Sequence, residues 1–122
     1  MDSEDFFVSA ALLGRSPDAT ALVADLAARF ERSLPGHVQV DRKGWGKAKK
    51  IMSLTVNLEP DRFRVQIDQR GPEPWIDQIV RGVCVKSEQV NMDRWLERLA
   101  TSLNREALKS TETRLAIEDA LR

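Results

Sequence analysis

The strongest constraint in this chain is a change of hydrophobic period. Between residues 52 and 68 apolar and polar side chains alternate one by one. Met52, Leu54, Val56 and Leu58 interleave with Ser53, Thr55 and Asn57, and Phe63, Val65 and Ile67 interleave with Arg64, Gln66 and Asp68. Successive side chains of a strand point to opposite faces, so the pattern predicts two strands with one dry and one wet side. Glu59-Pro60-Asp61-Arg62 has turn chemistry and joins them as a hairpin. The same period is present at Val38 and Val40, and a further strand is expected over 79–86 with Val83 and Val85 turned inward. Arg70-Gly71-Pro72-Glu73-Pro74 reads as a break between strands.

On either side the period is helical. Ala19, Leu22, Val23, Leu26, Ala27, Phe30 and Leu34 recur at three- and four-residue spacing, which defines one apolar helix face. Ser16-Pro17-Asp18 suits the start of that helix and Pro35-Gly36 ends it. Asn91 is a candidate N-cap for a second helix, with Met92, Trp95, Leu96, Leu99, Ala100 and Leu103 as its stripe. Beyond residue 103 the pattern admits two arrangements: one helix to about residue 121, or a bend near Asn104 or Lys109-Ser110-Thr111. A single helix of that length would overhang a short sheet. Leu115, Ile117 and Leu121 would then need a partner, and a second copy of the chain is the expected one. The apolar run over 6–13 is read as a strand, and residues 1–5 as disordered.

The expected fold is therefore α+β: an antiparallel sheet of four to five strands, with an N-terminal helix and a long C-terminal helix packed on one face. The 122 residues are taken as a single domain, and their 42% hydrophobic content suffices for a core without disulfide or metal. No apolar run approaches the ~20 residues of a membrane span, so no membrane partner is expected. The acidic start, Met1-Asp2-Ser3-Glu4-Asp5, lacks the positive region of a signal peptide, and the cytoplasm is the expected location.

Chemistry-bearing residues are few. Cys84 is the one cysteine and His37 the one histidine. This excludes an intramolecular disulfide and a classical zinc module. Cys84, between Val83 and Val85, is expected in the core, and His37 at a loop edge. No Gly-x-Ser-x-Gly occurs, and no carboxylate pair stands apart in apolar surroundings. No catalytic residue, metal, cofactor or small-molecule substrate is expected.

Two segments stand out as binding candidates. The net charge of zero conceals an uneven distribution, −4 over residues 1–31 against +5 over residues 32–50. Arg42, Lys43, Lys47, Lys49 and Lys50 surround Trp45, which sits between Gly44 and Gly46. At a hairpin tip such a set suits a polyanion: the cations pair with phosphates and the indole stacks on a base. Gly-x-Gly alone does not make a phosphate loop. The second candidate is Trp75, which the prolines at 72 and 74 could present rigidly to a partner. Trp95 belongs to the core stripe. The order of elements is similar in outline to small dimeric secretion chaperones and to helix–sheet–helix nucleoid-associated proteins. No residue motif carries either likeness, so neither lends site residues. The expected function is a non-enzymatic, cytoplasmic protein–protein interaction module, adaptor- or chaperone-like and homodimeric. The alternative is nucleic-acid or polyanion binding through the basic hairpin.

Overall fold

A computed structural model describes residues 19–46 and 49–122. The expected strand over 6–13, the helix start at Ser16-Pro17-Asp18 and Lys47 lie outside the described residues. In chain order the elements are α1 (Ala19–Ser33), β1 (Val38–Lys43), β2 (Lys50–Leu58), β3 (Asp61–Asp68), β4 (Gly71–Val80), β5 (Val83–Gln89), α2 (Met92–Ala107) and α3 (Thr111–Ala120). Among the described residues five strands form one antiparallel sheet in sequence order, β1-β2-β3-β4-β5. The fold is α+β, as the two hydrophobic periods require.

The β2–β3 register places Leu54 opposite Val65 and Val56 opposite Phe63. All four are buried, and they share the dry face with Leu58. Leu22, Val23, Leu26, Ala27 and Phe30 of α1 and Leu96, Leu99 and Leu103 of α2 close over it. Trp95 is the largest fully buried side chain. Its ring meets Phe63 edge-on, with centroids 6.1 Å apart at 87°, a favoured aromatic geometry. Its Nε1–H donates to the Trp75 carbonyl at 3.2 Å, so the one polar atom of this indole is satisfied inside the core.

Several details differ from the sequence reading. The C-terminal segment takes the second of the two arrangements the sequence admits, two helices with a bend at Lys109-Ser110-Thr111, in place of the one long helix of the expected fold. Ser110 Oγ accepts the Thr113 backbone N–H at 3.0 Å and caps a new helix after Ala107, so the chain turns back instead of overhanging the sheet. α3 lies against α1 and α2, where Arg29 donates to the Ala120 and Arg122 carbonyls and Ser33 to Asp119. Ile117 and Leu121, expected at an interface, are therefore buried in this chain's own core, and only Leu115 stays exposed. The proline-rich break is the start of β4. Pro72 and Pro74 pair with Ile67 and Val65 on β3, and Pro74 faces the point where β5 has ended. Its missing N–H breaks no ladder there, and its carbonyl accepts the Val90 N–H at 3.1 Å. The strand expected over 79–86 is instead a hairpin. Arg81 and Gly82 both have positive φ, 52° and 79°, as the two-residue turn favoured by strand twist requires. β5 lies at the sheet edge with all seven residues exposed. Val83, Val85 and Cys84, expected inside, are thus on the surface, because the core helices do not cover this strand. Met52 is also 40% exposed, displaced where the β1–β2 register shifts beside Asp41 and Arg42.

Trp95→Ala removes the ring that joins α2 to the sheet. It is expected to lower unfolding stability by about 3–5 kcal/mol, read as a reduced urea midpoint with an unchanged slope.

Candidate functional site

Because the helices pack on one side, the other side of the sheet is uncovered among the described residues. The alternation that buries Leu54 and Val65 sends Thr55, Arg64 and Gln66 to this side, with Trp75, Asp77 and Ser87 beside them in register. Most of this face is polar and partly exposed, as the wet half of the pattern predicts.

Asp77 departs from that pattern: it is on the solvent side of the sheet and has no exposed surface. Its neighbours cover and satisfy it. Arg64 donates twice, Nε to Oδ2 at 2.6 Å and Nη2 to Oδ1 at 3.0 Å. Arg62 Nε donates to Oδ2 at 2.8 Å and Ser87 Oγ to Oδ1 at 2.7 Å. The strands dictate this convergence, because Arg62 and Ser87 are the residues directly opposite Asp77 on β3 and β5. Burial pushes the Asp77 carboxyl up, but the hydrogen bonds from Arg64, Ser87 and Arg62 together outweigh it and hold it down to about 2. Two guanidiniums share one carboxylate, so this three-residue cluster carries one formal positive charge.

Trp75 completes the group. It is half-buried, directly opposite Arg64, and the Arg64 guanidinium lies over its ring at 5.6 Å from the centroid, within cation–π range. Arg64 is thereby fixed by a two-point bond on one side and an aromatic ring on the other. The prolines of the sequence reading do not push Trp75 outward on a loop; it stands on a central strand.

The basic hairpin is a separate place, at the far end of β1 and β2. Trp45 is 92% exposed. Lys43 and Lys50 are directly opposite each other, a like-charge pair that disfavours the ladder's end, and Lys49 is exposed beside them. Arg42 is not free for a ligand. It donates to both Glu31 oxygens on α1, Nη1 to Oε2 at 2.9 Å, which raises its own pKa and lowers that of Glu31. His37 is at the β1 edge, its Nδ1 3.1 Å from the Asn57 carbonyl oxygen, and Cys84 is on β5 at the opposite edge. The geometry thus separates the one Cys–His pair.

Sequence reasoning named Trp75 and placed Arg64 on the wet face, but missed Asp77, Arg62 and Ser87 as a unit. The signal was Arg62-x-Arg64 facing an aspartate across a hairpin, which becomes readable only once the β3–β4 register is known. Among the described residues no group of His, Cys, Asp and Glu could hold a metal ion, and no helix is long and apolar enough to cross a membrane. The chain matches no protein-family model, no curated protein and no solved structure.

The Asp77 carboxyl titrates lower in the folded chain than its ordinary 3.8. Its contribution is therefore fully present above pH 3.8 and is lost as pH falls toward 2. Urea unfolding of the wild type and of Asp77→Asn across pH 6 to 2 is expected to show a stability difference that shrinks by up to about 2 kcal/mol within that window and is level above it.

Proposed function

We propose that this protein is a non-enzymatic protein-interaction module that works as a homodimer in the cytoplasm and binds a partner through the uncovered face of its sheet. The observation that carries the reading is the fixed pair Arg64 and Trp75. Tryptophan and arginine dominate the energetic centres of protein interfaces. Ordering long side chains normally costs binding energy, at roughly 0.5–1.5 kcal/mol each. Here Asp77 has already ordered Arg64, and Arg64 lies over Trp75, so much of that cost is met in folding. The surrounding threonine, glutamine and asparagine side chains supply adaptable hydrogen bonds of the kind found at interface rims. An exposed free thiol at Cys84 fits a reducing compartment.

The second reading, a polyanion bound at the hairpin, rests on the 92% exposure of Trp45 and the facing pair Lys43 and Lys50. One experiment separates the two. Proteins retained by immobilised wild type are compared with those retained by Trp75→Ala and by the triple variant Trp45→Ala/Lys49→Glu/Lys50→Glu. The sheet-face reading expects specific protein partners to fall at least about tenfold with Trp75→Ala and to persist with the triple variant. Retention of nucleic acid that the triple variant abolishes, with Trp75→Ala unaffected, would favour the hairpin and contradict the sheet face.

A further inference from the structure

Among the described residues β5 is the edge strand at one side of the sheet, and all seven of its residues are exposed, on the helix side as well as the open side. A strand bare on both faces gains little from burial and is held mainly by its one neighbour. The Val90 N–H bonds to the Pro74 carbonyl, and in the β4–β5 register this sets the backbone groups of Lys86 and Glu88 toward β4. In an antiparallel ladder the intervening residues, Ser87 and Gln89, then direct their N–H and C=O groups off the free edge. The irregularity of β5 lies at Val85, where the β4 register shifts, so 86–89 is a regular stretch.

An open edge is a template for another strand, and proteins deter indiscriminate pairing with lysine. Lys86 does this here, but Glu88 lies two residues on and on the same side. A two-fold axis through Ser87 is the antiparallel register in which each Lys86 meets Glu88 of the partner subunit. In that register Ser87 pairs with its own copy through the free backbone groups. The lysine–glutamate pairs take the close positions without ladder hydrogen bonds, with Cα atoms about 4.5 Å apart, where opposite charges support pairing and like charges oppose it. Such an axis is isologous, so both pairs form at once.

We propose that β5 is the self-association edge of this protein: two copies join β5 to β5 about Ser87 into one continuous ten-stranded sheet, selected by reciprocal Lys86–Glu88 pairs. This names the interface of the homodimer in the proposed function and rests on that part of it, not on what the sheet face binds.

Sedimentation equilibrium on the full chain tests it. The wild type is expected at twice 13.8 kDa. Lys86→Glu alone and Glu88→Lys alone each place like charges opposite at two symmetry-related positions and should weaken the dimer at least about tenfold. Lys86→Glu/Glu88→Lys restores opposite charges in the same register and should restore the dimer. Both side chains are exposed, and circular dichroism confirms that the variants fold. A wild type that stays monomeric overturns the homodimer itself. A dimer indifferent to both single reversals, or one that the double variant fails to restore, keeps the homodimer and overturns pairing through β5.

Discussion

Trp75 is held from both sides of the sheet, and much of the structure is organised around that fact. From within, the Trp95 indole donates to the Trp75 carbonyl while its ring lies against Phe63. From outside, Arg64 covers the Trp75 ring and is itself locked by Asp77. The hydrophobic core and the polar face are thus linked through one residue of β4. A buried ion pair contributes less stability than its Coulomb term suggests, because both charges lose water. The Asp77 group offsets that loss by satisfying both carboxylate oxygens with four hydrogen bonds. What it adds is fixed geometry on a surface that would otherwise be a lawn of mobile side chains.

The parts of the fold legible in the sequence were those governed by period. The switch from 3.6 to 2 and back placed α1, the β2–β3 hairpin and α2, and the alternation of Leu54, Val56, Phe63 and Val65 named the dry face. What failed depended on neighbours in space. Val83 and Val85 alternate like buried residues, yet their strand lies beyond the helices. Ile117 and Leu121 looked unpartnered along a straight helix; a serine cap at Ser110 turns the chain and buries them. Pro72 and Pro74 marked a break by local rule, and the end of β5 beside them removes the penalty that the rule encodes.

The candidate site was half legible for the same reason. Alternation put Arg64 on the wet face, and composition singled out Trp75 and the basic tip. The Asp77 cluster is a product of register: Arg62, Asp77 and Ser87 are separate in sequence and adjacent across three strands. The tip fared differently. Its basic charge is legible in the sequence, but Arg42 is engaged by Glu31, and the facing lysines 43 and 50 make the end of the hairpin a place of repulsion. The face and the tip are two chemically distinct surfaces at different ends of the same sheet.

The three tryptophans report on three distinct places: Trp45 at the tip, Trp75 on the uncovered face and Trp95 in the core. Indole N–H resonances of the nitrogen-15-labelled protein, recorded alone and with a captured partner, therefore locate the working surface in a single spectrum. The account predicts that the Trp75 signal shifts on binding while those of Trp45 and Trp95 stay in place. A shift of Trp45 with Trp75 unmoved would contradict it and assign recognition to the basic hairpin.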